Sequence, residues 1–319
     1  LEINKDFIRT LNEHGQKRKP LFFAIDYHAS QWFIEDENVF YHLGEASNTT
    51  KKETSKKTKI TKKIHSSFED YQKKFNHVQD EIKKGNTYLL NLTMPTKLEG
   101  ELDLESIFHD SHAPFKLYVK DKFVCFSPER FAKIENNQIS TYPMKGTIEA
   151  NIPNAKEKIL ANPKEMSEHV MAVDLLRNDL GIVATNIKVE KFRYIEKINA
   201  GKKELLHVSS KITGDLEENW HNHLGDIIAN MLPAGSISGT PKKKTVEIIK
   251  EIEGYERGFF TGVFGYYDGE NLDSAVMIRF IEKIGEEYFY KSGGGITIES
   301  DVNEEFNEMM DKVYVPLKG

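Results

Sequence analysis

The stretch "FAKIENNQISTYPMKGT", residues 131–147, decides the fold class. β-Branched and aromatic residues flank Asn136 and Asn137, so the chain reads as a strand, a turn within "ENNQ" and a returning strand. Upstream, "TYLLNLTM", "FKLYV" and "KFVCFS" share that composition, and the segment from Gly85 to Thr147 reads mostly as strand. Downstream, "NIKVEKFRY", "LLHVSSKITG", "FFTGVFGYYDG", "LDSAVMIRF" and "EYFYKSGGGITI" continue the pattern. Helices interrupt these runs without a regular βαβ alternation. An α+β fold built on antiparallel sheets is therefore expected.

Period and punctuation place the helices. Phe68, Tyr71, Phe75, Val78 and Ile82 recur at spacings of three and four before Gly85. A second helix, "NPKEMSEHVMAVDLLRNDLG", starts at Asn162-Pro163 and ends at Gly181. Others are expected near residues 220–231, 242–252 and 303–314. "LFFAIDYHASQWFIED", residues 21–36, reads as two short strands joined by a turn. "NTTKKETSKKTKITKK", residues 48–63, has no aromatics among its lysines, so it reads as a solvated connector and not a nucleic-acid patch. The expected organisation is a short strand region plus Lys-rich connector over 1–63, part of the same fold, and a main domain over 64–319.

With 319 residues, 39% hydrophobic and 29% charged, the chain can bury a substantial core. Its 44 basic and 50 acidic side chains leave a net charge of −6, which disfavours nucleic acid as a partner. A lone cysteine, Cys125, excludes an internal disulfide and fits a reducing cytoplasm. No apolar run reaches membrane-spanning length, so no membrane association is expected.

Several clusters could carry chemistry. Lys145 follows Pro143-Met144 and precedes Gly146, so it is either a solvated hairpin tip or a nucleophile held in a pocket. Glu165 and Glu168 share a helix face beside His169; Glu305, Glu308 and Lys312 share another. Each set is either a solvated acidic face or a source of oxygen ligands for a hard cation such as magnesium. Asp301 and Glu304 resemble a capping-box start for the second helix. "PAGSISGTPKKKT", residues 233–245, could turn backbone amides toward an anion, but a P-loop would need glycine at Thr240 and lysine at Pro241. Gly293, Gly294 and Gly295 imply close backbone approach, a bulge or a bare turn. Arg279 suits a carboxylate or a structural ion pair. Glu129, set among aromatics after Pro128, is a candidate acid or a solvated loop residue, and His207 is ambiguous alone.

In order along the chain, SPERF, YPMKGT, KEMSEHVMAVDLLRNDLG, HVSSKITG, GSISGTPK, RGFFTGVFGYYDG, LDSAVMIRF, GGGIT and EEFNEMMDK resemble the chorismate-utilising enzymes over residues 65–319. That family includes anthranilate synthase component I, aminodeoxychorismate synthase component I, isochorismate synthase and salicylate synthase. The resemblance implies an anthranilate-synthase-like α/β sandwich of two antiparallel sheets with outer helices, and makes 64–319 a chorismate-binding catalytic domain. It implies Mg2+ on Glu168 and Glu308, with Glu165 and Glu305 nearby, holding the ring carboxylate that Gly146 and Thr147 also touch. Arg279 and the Gly293–Gly295 backbone would clamp the enolpyruvyl carboxylate, with Lys312 close by. Glu129 matches the general acid and His207 the active-site histidine. Phe260 departs from a tyrosine found in many members.

Two positions separate the subfamilies. Water-adding members resemble one another in a lysine where this chain has Leu89, which disfavours isochorismate and salicylate synthesis. Before Gly-Thr, anthranilate synthases read Pro-Ile-Ala and aminodeoxychorismate synthases Pro-Ile-Lys; this chain reads Pro143-Met144-Lys145. Lys145 thus resembles the covalent nucleophile of the aminodeoxychorismate synthases, where it divides one substitution at chorismate into two. An amine buried near apolar groups is more readily neutral, hence nucleophilic. The resemblance implies ammonia as co-substrate, supplied by a separate glutamine amidotransferase subunit, in 4-aminobenzoate and folate synthesis. The alternatives are anthranilate synthase component I and a non-catalytic chorismate-binding subunit.

Overall fold

A computed structural model describes residues 2–49, 58–200 and 203–315. Two antiparallel sheets, each of nine described strands, pack face to face. The first runs Met144–Glu149, Lys203–Asp215, Gln138–Thr141, Arg130–Glu135, Leu272–Val276, Val263–Tyr267, Leu21–Ile25, Trp32–Ile34, with Thr185–Ala200 beside Lys203–Asp215. The second runs Gly239–Thr240, Leu89–Glu101, Glu287–Ile296, Phe280–Ile284, Phe123–Ser127, Phe115–Val119, Val39–Leu43, Ala46–Ser47, with Lys59–Ile64 beside Leu89–Glu101. This is the α+β sandwich expected from the sequence.

Alternation explains the layers. In Phe123–Ser127, Phe123 and Cys125 enter the core between the sheets, whereas Val124 and Phe126 face an outer core closed by the helix Leu104–Asp110. Leu21–Ile25 behaves alike: Phe22 and Ala24 point between the sheets, Phe23 and Ile25 toward the helices. Asn136 and Asn137 take φ of +51° and +57°, the left-handed values that a two-residue hairpin requires, and Glu135 faces Gln138 across it. In the helix Phe68–Lys83, Ser67 accepts a bond from the Asp70 amide, and Tyr71, Phe75, Val78 and Ile82 are buried.

Three helices were not legible in the sequence. Lys5–Gln16, Leu104–Asp110 and Ala155–Ala161 are short or charge-rich, and each buries only a few side chains. The first is capped by Asn4, whose side chain accepts from the Asp6 and Phe7 amides. The Lys-rich connector also needs correction: Lys59–Ile64 is an edge strand paired with Leu89–Glu101, while residues 50–57 lie outside the described residues. Its lysines are exposed, as charged residues on an edge strand are. The strands before residue 64 belong to both sheets, pairing with Val263–Tyr267 and with Phe115–Val119.

A buried ion pair ties the second sheet to the loops above it. Arg257 and Glu253, 1% and 2% exposed, meet at 2.6 Å. Arg257 also donates to the carbonyls of Ile237 and Asn91, and Glu253 accepts from the Thr93 amide and hydroxyl. Tyr27 lies 4.5 Å beneath the guanidinium. Removing one partner would leave the other charge buried and uncompensated. Arg257→Leu should therefore destabilise the fold by about 3–5 kcal/mol, read as a lowered urea midpoint. A midpoint equal to the parent's would show that the pair contributes nothing net.

Candidate active site

Two neighbouring connections cross between the sheets at one corner. Pro128-Glu129 joins Phe123–Ser127 to Arg130–Glu135, and Met277-Ile278-Arg279 joins Leu272–Val276 to Phe280–Ile284. The "LDSAVMIRF" run, read as one strand, is thus two strands in different sheets. Backbone bonds fasten the corner: the Val276 amide donates to the Glu129 carbonyl at 3.1 Å, and the Phe126 amide to the Arg279 carbonyl at 3.2 Å. Arg279 takes φ of +53°, uncommon for a bulky residue, and its guanidinium lies 5.5 Å from the Tyr314 ring. The Glu129 carboxyl accepts at Oε1 from the Ser236 hydroxyl. Burial pushes this carboxyl above the usual carboxylate range; Ser236, Lys145, Arg279 and Lys312 oppose the rise.

Lys145 is neither a hairpin tip nor part of a regular strand. Met144 pairs with Ser209 and Thr147 with His207, so Lys145 and Gly146 form a bulge. A bulge re-aims side chains, and here it turns Lys145 into a cavity. Gly146 has φ of +93°, and a Cβ there would stand 2.9 Å from Glu165 Oε2. The Lys145 amine is not enclosed by apolar groups alone, for Glu168 Oε2 lies 3.8 Å away. His207 stands 3.5 Å from the Thr147 hydroxyl. Burial, then the nearby Arg279 charge, lowers its pKa.

The opposite wall comes from Glu287–Ile296 and the helix Val302–Asp311. Gly293 and Gly295 pair in regular register with Thr93 and Asn91, which excludes a bulge there. Close approach is the reason for glycine: a Cβ on Gly295 would meet Leu89 at 3.0 Å and the Lys145 amine at 3.5 Å. Lys312 donates to the Gly293 carbonyl at 2.9 Å and pairs with Glu308 at 2.6 Å. Burial lowers the Lys312 pKa, and Glu308 opposes that shift.

These elements enclose an inner cavity of about 230 Å³ that adjoins an outer one of about 1070 Å³. Glu129, Gly293 and Gly295 line the inner space. Glu165 and Glu168 line the outer. Lys145, Gly146, Thr147, His207, Arg279, Glu308 and Lys312 border both. Gly294 and Glu305 sit behind the wall: Glu305 is 5% exposed and accepts from Ser300. Leu89 and Phe260 also face the inner cavity.

Some lining residues escaped the sequence reading. Glu304 borders the outer cavity as well as following the cap Asp301, and Tyr314 and Asn91 had no signal of their own. Ser236 lay inside a stretch considered for its backbone amides. Those of Ile237 and Ser238 are instead consumed within the turn, bonding to Ala234 and Gly235, and only the Ser236 side chain reaches Glu129.

The carboxylates divide between two walls, Glu165 and Glu168 on one helix, Glu304 and Glu308 on the other. Among the described residues no three His, Cys, Asp or Glu side chains converge on one point. The donor set is nonetheless all oxygen, which suits a hard cation that keeps waters in its shell. Lys145 and Lys312 each neutralise one of these carboxylates.

A sandwich whose corner and two helices surround a cavity of carboxylates, lysines and arginine suits a small anionic ligand. A sequence profile described as chorismate binding enzyme matches residues 8–318, and the chain belongs to that family. It is 48% identical over 319 residues to an uncharacterized PabA-like protein of Haemophilus influenzae, covering 98% of this chain and 97% of that one. It is 33% identical over 266 residues to aminodeoxychorismate synthase component 1 of Escherichia coli, a match spanning 78% of this chain but 57% of that one. In structure it resembles a putative 2,3-dihydroxybenzoate-specific isochorismate synthase from Bacillus anthracis, at a TM-score of 0.73 and 20% identity, over 97% of this chain and 86% of that one. No helix among the described residues is long and apolar enough to cross a membrane.

Because the folded-state pKa of His207 lies below its ordinary value of 6.5, the ring is neutral at pH 7. Its contribution to stability is present above that value and is lost on acidification. Histidine Cε1 proton resonances, with His207→Gln for assignment, should show a midpoint below 6.5. Arg279→Gln should move that midpoint upward. A midpoint at or above 6.5 would contradict the assignment.

Proposed function

We propose that this protein converts chorismate and ammonia to 4-amino-4-deoxychorismate, as an aminodeoxychorismate synthase component I in 4-aminobenzoate synthesis. The observation that carries this reading is that Lys145, an amine, and Glu129, a carboxyl raised by burial, line one inner cavity. Lys145 attacks C2 of chorismate with its nitrogen lone pair, both ring double bonds shift one bond toward C4, and the 4-hydroxyl, protonated by Glu129, leaves as water. Ammonia then adds at C4, both double bonds shift back, the Lys145 amine departs from C2, and the proton lost by the added nitrogen returns to Glu129. Each half-step is a conjugate displacement, and together they return nitrogen to the carbon that lost oxygen.

The other residues hold the substrate. Arg279, with a buried Nε that has no partner among the described residues, supports a carboxylate-binding role. Lys312 and the Gly293 and Gly295 backbone would hold the same enolpyruvyl carboxylate. Gly146 and Thr147 would touch the ring carboxylate, with His207 beside them. Glu168 and Glu308, with Glu165 beside them, would hold Mg2+, which would polarise that carboxylate and screen its charge; Glu305, turned to Ser300, stands behind them. A dication and a dicarboxylate together add no net charge to the cavity. Leu89 and Phe260 present only carbon to the reacting centre, which favours addition of ammonia over activation of water. Ammonia would come from a separate glutamine amidotransferase subunit. The buried thiol of Cys125, its pKa raised by burial, suits a reducing cytoplasm.

Incubation with chorismate, Mg2+ and ammonium, followed by product identification by mass, tests the reaction. Lys145→Ala should slow aminodeoxychorismate formation roughly 100-fold or more; a wild-type rate would reduce the lysine to a pocket wall. Wild-type enzyme given chorismate without ammonium should carry an adduct whose mass maps to Lys145, and Glu129→Gln should slow its appearance. Chelation should abolish turnover and added Mg2+ restore it. Full activity in excess chelator would refute the metal assignment.

A further inference from the structure

The turn Gly235–Ile237 is held from several directions, more firmly than its length requires. Arg257, buried on its ion pair with Glu253, donates to the Ile237 carbonyl at 2.9 Å. The Ser238 hydroxyl closes the turn onto the Ala234 carbonyl at 2.8 Å, and the Asn91 amide donates to the Ser238 carbonyl at 2.9 Å. Asp179, 4% exposed, lies close against Gly235 and pairs with Lys242 at 2.7 Å. These contacts come from the helix Pro163–Val183, from the loop after Lys242–Glu253 and from Leu89–Glu101. What they hold in common is the backbone on either side of Ser236. Its half-buried hydroxyl reaches Glu129 Oε1.

Among the described residues, this is the side-chain hydrogen bond that the Glu129 carboxyl receives. A serine hydroxyl that donates to Oε1 leaves Oε2 as the oxygen able to carry a proton. We propose that Ser236 is a positioning residue for Glu129, selecting the carboxyl oxygen that delivers the proton and steadying the carboxylate left behind. The inference rests on the reading of Glu129 as the general acid. When Oε2 gives its proton to the departing hydroxyl oxygen, the C–O bond breaks, water leaves and Glu129 becomes an anion. The Ser236 O–H then bonds a full charge, which strengthens it. The other charged groups facing this carboxyl are Lys145 on the bulged strand, Arg279 at the sheet corner and Lys312 at the helix end, itself paired with Glu308.

The test uses the full chain with 13C-labelled glutamate, comparing wild type, Ser236→Ala, Ser236→Thr and Glu129→Gln by infrared difference spectroscopy across pH. The protonated-carboxyl band missing from Glu129→Gln identifies Glu129. Loss of the donor should shift that band and move its titration midpoint to higher pH, because Ser236 favours the charged form; threonine should restore both. In parallel, kcat for chorismate should fall roughly ten- to a hundredfold in Ser236→Ala, with KM little changed and threonine rescuing the rate. An unshifted band and midpoint in Ser236→Ala would overturn the proposal, as would an unchanged kcat. If the band responds but wild-type protein makes no aminodeoxychorismate, the reaction is wrong and the Ser236–Glu129 pairing stands.

Discussion

The structure depends on one constraint, the corner at which two adjacent strand connections change sheets together. Strands in stacked sheets lie about 10 Å apart, so a crossing chain must bend, and two chains that cross side by side must bend in concert. The bonds from Val276 to the Glu129 carbonyl and from Phe126 to the Arg279 carbonyl join the bends. The backbones of Glu129 and Arg279 are thus tied to one another's strand connections. The corner is braced just outside by Arg130, which forks onto Asp273 at 2.7 and 3.1 Å across neighbouring strands. The positive φ of Arg279 is a strain that such bracing can sustain.

The cavity is then completed by elements distant in sequence, each fixed by its own packing. Lys145 arrives through a bulge on a terminal strand of the first sheet, Lys312 from the end of a helix lying against the second. The Ser236 turn is pinned through buried polar groups rooted in strands and helices. Buried polar networks specify geometry because each unpaired member would be costly. Here the Arg257–Glu253 pair links the Asn91 backbone, the Ile237 carbonyl and Thr93 into one unit beneath the site.

Electrostatic balance follows from that placement. Lysines 145 and 312 each face a carboxylate, and Glu129 sits among three cations while burial raises its pKa. A site so balanced would take the proposed pair of Mg2+ and a dicarboxylate, which together add no net charge, more readily than either alone, because desolvated net charge is expensive. The same walls carry Leu89 and Phe260, so the polar groups are grouped by task and not spread evenly.

Much was legible in the sequence because it is local. The Asn136-Asn137 hairpin, the stripe from Tyr71 to Ile82 and the alternating strands follow from period and turn chemistry, which act over a few residues. The order of motifs named the family, and most candidate residues share the cavity. What the sequence could not determine depends on distant partners. The pairing that makes Lys59–Ile64 a strand lies across the sheet, so its lysines read as a connector. Glu305 looks like its neighbour Glu308 by spacing, yet packing turns it behind the wall toward Ser300. Ser236 became visible only where a buried arginine, a buried aspartate and a sheet corner meet, since a hydrogen bond between residues 107 apart has no local signature. Periodicity is set by the backbone and can be read along the chain; convergence is set by packing and exists only in three dimensions.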